Sequence, residues 1–518
     1  MKTVLLIYPH STSTPVIPGS IPIMSGIARD RGWRAIFFDA YRYEKPSLDN
    51  KRSVQSAEFK AISGKRQITM LPANRLLPDL QSLIDTEKPD VIGVSCMTID
   101  YEYFVPIWKT IVLPQETITV IGGLHAILCA KKVAADGLFD LVCIGEGEEV
   151  FDELLAKLEA EHPIDNILGT IHVERKSGIV KDWGKRRLLQ PEKLWVRHPD
   201  YSLFSDEYFR YPFDGRLCRR FAIEIARGCP YSCTYCGNTA LKRTFAGLGK
   251  FVRLCSVDSV IGGLDVMVQN HHIDLFYLMG ECFLSHPTWW LQEFSAQYAK
   301  RIRLPFIIQT RPETVTPAKL DILDAMGAPF YQVSMGVESG SERILFEICN
   351  RQVTKKRILE AYALLRERNI RTSAFFMIGI PSETREDIFE SIRLCREIKS
   401  TVAEVNIFQP LPGQDLRELC IREGFITGNE PQLSFTGGSQ LKMPQITADE
   451  INNLRRVFML YANLPDEYWP KVEMCERNFH ENQELYDELV ELRWRLNNDT
   501  AVLLSSNRSQ SSPIWGTS

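Results

Sequence analysis

The sequence predicts an α/β protein: a doubly wound, Rossmann-like parallel-sheet domain, then a partial (β/α)6 barrel and a helical C-terminal region. Three observations carry that expectation. Short, fully apolar runs alternate with helical stretches through residues 1–165. A second series of six such runs fills residues 218–415, and a loop with three closely spaced cysteines follows its first strand. Runs of four to six apolar residues read as strands buried on both faces, as in a parallel sheet covered by helices on each side. At 518 residues, 44% hydrophobic and 24% charged, the chain has material for two or three domains.

Each element of residues 1–165 has its own signal. Residues 4–7 form a strand, and 21–31 a helix closed by Gly32. Residues 35–38 make the second strand. The helix at 78–86 carries its proline in the first turn, where no helical amide bond is lost. Residues 90–95 are the third strand, 103–112 a helix, and 118–121 a fourth strand running into Gly122-Gly123. Residues 139–143 are the fifth, leading through Gly145-Glu-Gly-Glu-Glu149 into a helix that ends near Glu161. The polar segment 44–73 reads as a surface excursion.

Residues 166–217 form a connector, with a hairpin across 169–183 turning at Lys176-Ser-Gly178. The second series places strands at 221–226, 273–278, 306–310, 331–335, 372–378 and 404–408, with helices between them, for example 355–367 and 385–399. Ligands of both architectures sit beyond the carboxyl ends of the strands. Residues 416–504 read as helical, and the Ser-rich stretch 505–518 as a disordered tail.

Composition narrows the function classes. With 61 basic against 65 acidic residues, a net charge of −4 gives no case for a nucleic-acid or membrane partner. Thirteen scattered cysteines are unlike a disulfide framework and fit a reducing, cytoplasmic setting. No stretch approaches the roughly 18 apolar residues of a membrane span.

The chemistry concentrates at Cys229, Cys233 and Cys236, within Arg227-Gly-Cys-Pro-Tyr-Ser-Cys-Thr-Tyr-Cys-Gly237. Three thiolates on one short loop suit an iron–sulfur cluster or zinc. Zinc needs a fourth ligand, usually from a second cysteine or histidine pair, and none follows at such spacing. A four-iron cubane held by three cysteines leaves one iron open. The CxxxCxxC spacing, with Tyr235 before the third cysteine, resembles the signature of the radical S-adenosylmethionine (SAM) superfamily, in which SAM chelates that iron. The resemblance implies a [4Fe-4S] cluster and SAM as cofactors, and an external one-electron reductant such as flavodoxin or ferredoxin.

Later strand ends match the superfamily's order. Gly280 and Glu281, preceded by Met279 instead of glycine, stand where the family contacts the SAM amino group. Glu338 and Ser339, in Gly336-Val-Glu-Ser-Gly340, stand where it holds the ribose or carboxylate. Gly379 in Gly-Ile-Pro381, with Gln409 and Leu411 in Gln-Pro-Leu-Pro-Gly413, resembles the adenine cradle.

A radical SAM core behind a five-stranded doubly wound domain is similar to the cobalamin-binding class of that superfamily, across about residues 1–415. Ser95, Gly122, Gly123, His125, Gly145, Glu146 and Gly147 fit that class's cobalamin-side loops. The Asp-x-His-x-x-Gly motif of classical cobalamin domains is absent. His10 stands near its place without the orienting aspartate, so it is not expected to ligate cobalt. The resemblance implies methyl transfer to an unactivated carbon, or to phosphorus, of a small-molecule, natural-product substrate. The alternative keeps the cofactors for ring closure, rearrangement or oxidation. Cys96, Cys129 and Cys143, far apart among apolar neighbours, read as core residues and speak against a methylthiotransferase.

Overall fold

In the computed structural model, residues 1–10, 17–45, 68–194, 199–213 and 216–506 are described. Most of the expected excursion at 44–73 and of the expected tail at 505–518 lies outside them. Two seven-stranded sheets organise the molecule.

The first contains β1 (Thr3–Tyr8), β2 (Arg34–Asp39), β3 (Val91–Ser95), β4 (Ile118–Gly122) and β5 (Leu141–Cys143), all parallel. The hairpin β6 (Thr170–Glu174) and β7 (Ile179–Asp182) pairs antiparallel onto β5, so it extends this sheet. The spatial order β2-β1-β3-β4-β5-β6-β7 places a topological switch between β1 and β3, where such sheets bind ligands. Val4, Leu5, Leu6 and Ile7 are all buried, because helices cover both faces.

The second sheet begins with β8 (Arg210–Phe213) antiparallel to β9 (Arg216–Glu224). A two-residue ribbon follows, β10 (Ala226–Arg227) with β11 (Arg253–Leu254). Then come β12 (Leu275–Met279), β13 (Phe306–Thr310), β14 (Tyr331–Glu338), β15 (Arg371–Ile378) and β16 (Val402–Ile407), parallel to β9 and side by side in chain order. That makes a curled, open half-barrel of six βα strands, as expected. The β16 edge is covered: Ile407 N–H donates to Phe435 O at 2.8 Å, and Arg455 Nε to Val405 O at 3.2 Å. Covering an edge prevents pairing with another chain.

Element boundaries differ from expectation where side chains cap the backbone. The helix expected at 103–112 spans Thr98–Trp108, because Asp100 accepts from Met97 N–H at 3.1 Å and caps an earlier start. Residues 423–447, expected among helices, contain none; they run from the helix Asp415–Arg422 to Ala448–Asn463 along the β16 edge. Cys96 and Cys143 are buried core residues, as expected, and Cys129 is half-buried.

The barrel core packs behind β12 and β13. Trp290 is fully buried, stacks on Phe294 at 5.0 Å, and donates to Cys255 O at 2.9 Å. Trp290→Ala removes that volume and the hydrogen bond to the carbonyl, at an expected cost of about 3–5 kcal/mol, read as a lower midpoint in denaturant unfolding of the barrel.

Candidate functional site at the junction of the two sheets

The cysteine loop is held at both ends. The β10–β11 ribbon sets Arg227 directly opposite Arg253. Gly228 follows with φ +83, and a Cβ there would lie 2.4 Å from Phe251 O, so only glycine fits the turn into Cys229. After Cys236 the chain enters the helix Gly237–Thr244.

Distant segments fix the loop between those ends. Thr234 N–H donates to Cys349 O and its hydroxyl to Ile348 O. Gln414 Nε2 donates to Tyr235 O at 2.6 Å, and Thr239 Oγ1 to Cys233 O at 2.7 Å. Lys242 Nζ donates to Pro230 O at 3.0 Å, and Asn350 Nδ2 to Ser232 O at 2.9 Å. Cys233 is buried while Cys229 and Cys236 are half-buried. Burial pushes the Cys229 thiol up to about 12 and raises Cys236 as well. Among the described residues, no three cysteine, histidine or carboxylate side chains converge as one metal ion requires. A cubane is wider than a single ion and takes its thiolates from further apart.

Two arginines that sequence reasoning missed stand beside these thiols. Arg311, directly after β13, donates from Nη1 to Cys233 Sγ at 3.2 Å and stacks on Tyr231 at 3.8 Å. Arg351, buried, donates to Tyr235 Oη at 3.0 Å and to Glu338 Oε1 at 3.3 Å. Glu338 therefore lies against Tyr235, next to Cys236, and burial raises its carboxyl despite Arg351. The available signal for Arg311 was a charged residue at the carboxyl end of a predicted barrel strand.

The remaining SAM-side candidates divide. Gly280 and Glu281 follow β12, and the exposed Glu281 acts electrostatically on Cys229 and Cys236. Gly379 follows β15, and Leu411 N–H donates to Gln414. Ser339 is fully buried, its hydroxyl accepting from Ser341 N–H and facing Ser391. Gln409, also buried, donates to Gly438 O at 2.9 Å. Both side chains are engaged by the protein itself.

On the other wall stand the carboxyl ends of the first sheet. Ser95 accepts from Ser20 Oγ at 2.9 Å. Gly122 ends β4, and Gly123 has φ +93 with room for no Cβ, which would lie 2.5 Å from Cys96 O. His125 is buried, stacked on Tyr101 at 4.3 Å, with Nδ1 3.2 Å from Thr98 Oγ1. Its Nε2 is buried and has no protein partner. Gly145 and Gly147 flank Glu146 before the helix Gly147–Glu159. His10 is buried between the rings of Tyr8 and Tyr41, at 4.9 and 5.3 Å.

The two walls touch. Glu146 accepts from Arg253 at 2.7 Å on each oxygen and from Arg227 at 3.0 Å, while Glu148 accepts from Arg227. Burial works to raise Glu146, but the hydrogen bond from Arg253 and the charges of both arginines outweigh it and hold the carboxyl below its usual range. A Cβ on Gly237 would sit 3.9 Å from Leu124, and one on Gly413 3.4 Å from Leu128. Residues on both sides of the three cysteines thus pack against the loops after β4 and β5.

Residues 223–395 match the family model of the radical SAM superfamily, and residues 52–155 match that of the B12 binding domain. The chain is a radical SAM protein with a B12-binding domain. An uncharacterized methyltransferase of Pyrococcus horikoshii is 24% identical over 382 residues, covering 73% of this chain and 79% of its own. The anaerobic magnesium-protoporphyrin IX monomethyl ester cyclase of Rubrivivax gelatinosus is 24% identical over 64% of this chain; the match spans 59% of the cyclase. The structure of the radical SAM methyltransferase TsrM from Kitasatospora setae, with cobalamin and a [4Fe-4S] cluster bound, shares the fold. Its TM-score is 0.58 at 15% identity, over 82% of this chain and 75% of TsrM.

The cofactors of this radical SAM protein are a [4Fe-4S] cluster, SAM and cobalamin, and the residues fit them. Three thiols share one braced loop, with Arg311 aimed at a sulfur. The B12-binding domain presents a buried, unpartnered imidazole nitrogen on His125 beside backbone bare of side chains at Gly122-Gly123.

Two outcomes follow. Cys229→Ala, Cys233→Ala and Cys236→Ala each abolish the cluster after anaerobic reconstitution, measured by iron content, whereas Cys475→Ala, a buried core thiol, retains it. Burial, the largest cause, lowers His125 to about 4. Its folded pKa lies below the ordinary value of about 6.5, so between those values the unfolded chain binds the extra proton. The associated stability is complete above about pH 6.5 and is lost as pH falls toward 4. His125→Gln should flatten that part of the stability–pH curve relative to the native chain.

Proposed function

We propose that the protein is a cobalamin-dependent radical SAM methyltransferase, acting on an unactivated carbon or on phosphorus of a small, natural-product-like molecule. One observation carries the reading: the cysteine loop and the loops after β4 and β5 pack against each other, joined through Glu146. That packing brings the segments implied to hold the two halves of the chemistry to one junction. When bound, the cluster with SAM supplies a 5′-deoxyadenosyl radical, and cobalamin supplies the methyl group.

The chain's own residues bind, orient and exclude water. Cys229, Cys233 and Cys236 hold three irons. Gly280 and Glu281 receive the SAM amino group, and Glu338, braced by Arg351, the sugar. Ser339 and Gln409 shape this pocket from behind, while Gly379 and Leu411 offer backbone to the adenine. On the facing wall Ser95, Gly122, Gly123, Gly145 and Gly147 admit the corrin and nucleotide tail closely. His125, neutral at pH 7, would offer its unpartnered Nε2 to the cobalamin. Glu146, both of whose oxygens are taken by arginines, joins the walls.

Relatives carry both methyltransferase and cyclase names; isotope labelling separates the two reactions. Turnover with trideuteromethyl-SAM should place the label in the product and yield S-adenosylhomocysteine and 5′-deoxyadenosine in about equal amounts, one of each per methyl transferred. Product formed with 5′-deoxyadenosine alone, and without label, would establish the cyclase-type reaction instead.

A further inference from the structure

β13 ends at Thr310, and the run Thr310-Arg-Pro-Glu-Thr314 follows at the carboxyl end of that strand. Pro312 keeps the preceding residue extended, so Arg311 leaves the strand at φ −114 and ψ 146. Thr314 then closes a short turn, its N–H and its hydroxyl both donating to Arg311 O. The turn brings two side chains together, and Arg311 Nε donates to Glu313 Oε1. From the same buried guanidinium, Nη1 donates to Cys233 Sγ at 3.2 Å, and Tyr231 stacks on its face at 3.8 Å. One cation is thus shared between a sulfur and a carboxylate, under an aromatic ring.

Glu313 is more than a brace. Its second oxygen, Oε2, is buried and has no hydrogen-bond partner among the described residues. Such an oxygen carries a desolvation cost that a structural contact alone leaves uncompensated. Arg351 and Glu281 also stand near the thiols, and neither does the same. Arg351 is committed to Tyr235 Oη, Glu338 and Gly336 O. Glu281 acts on Cys229 and Cys236 from an exposed position, where water screens its charge.

We propose that the Arg311–Glu313 pair sets the reduction potential of the cluster, its two charges acting in opposite directions. The proposal rests on the reading that Cys229, Cys233 and Cys236 hold that cluster. Reduction adds one electron, so a cation at a ligand sulfur favours the reduced form, and a carboxylate on that cation opposes it. Arg311 alone would hold Cys233 in place but leave the cluster a weaker reductant. Glu313 offsets that loss and keeps the hydrogen bond to sulfur.

The test is an anaerobic, dye-mediated dithionite titration of the reconstituted full-length protein, without SAM or cobalamin, read by the paramagnetic signal of the reduced cluster. Iron and sulfide per chain are measured first and report on the cluster reading separately. Arg311→Gln should lower the midpoint, with about tenfold less reduced cluster at a fixed potential, ~59 mV for one electron. Glu313→Gln should raise it. Arg311→Lys keeps the charge but not the planar fork, and should fall between the native chain and Arg311→Gln. Glu281→Gln, on the exposed side, should move the midpoint less than Glu313→Gln does. Native midpoints in Arg311→Gln and Glu313→Gln at equal iron content would overturn the proposal. So would shifts of the same sign in the two variants, or a larger shift from Glu281→Gln than from Glu313→Gln. If Arg311→Gln loses its iron, Glu313→Gln decides alone: a raised midpoint supports the pair, and an unchanged or lowered one overturns it.

Discussion

Two arginines lie opposite each other on the β10–β11 ribbon, and without a partner they would repel in a nearly buried place. Glu146 resolves this by reaching across from the other sheet and accepting from both. The same carboxylate accepts the backbone N–H of Leu189 at 2.7 Å, which pins the connector as well. Removing one partner from such a buried group leaves uncompensated charge, typically costing about 3–5 kcal/mol. The separation and angle of the two cofactor walls are therefore set by a few charge-assisted hydrogen bonds rather than by apolar contact alone.

The cysteine loop depends on a second constraint. Most of its residues lie outside helix and strand, so its carbonyls and amides take partners from 348–350, from 414–416 and from Lys242. Arg311 adds a cation against the Cys233 sulfur, and hydrogen bonds to cluster sulfurs are among the means by which proteins set reduction potential. The thiols are presented by a rigid frame assembled from several barrel units.

Much of this was legible in the sequence, because apolar runs such as 4–7 and 306–310 bury both faces of a parallel sheet and leave few alternatives. The cysteine loop was legible because three thiols at that spacing suit few other purposes. Other features arise only in three dimensions. The Glu146 clamp was hidden, since a carboxylate between glycines reads equally well as a ligand contact. Ser339 and Gln409 fall at the right strand ends, yet their side chains turn into the protein. Arg351 gives no local signal at all; its partners Tyr235 and Glu338 are 116 and 13 residues away. The early start of the Thr98–Trp108 helix turns on one capping carboxylate, which an apolar pattern does not record.

The bracing of the loop also orders events during synthesis. The first sheet is complete once β7 ends at Asp182, and all three thiols have been made by residue 236. The carbonyl and amide partners that shape their loop are not finished until Leu416, which donates to Thr234 O. At roughly 5–20 residues per second, the growing chain carries its cysteines without their frame for roughly 10–40 s. Throughout that interval the thiols depend on the reducing power of their surroundings.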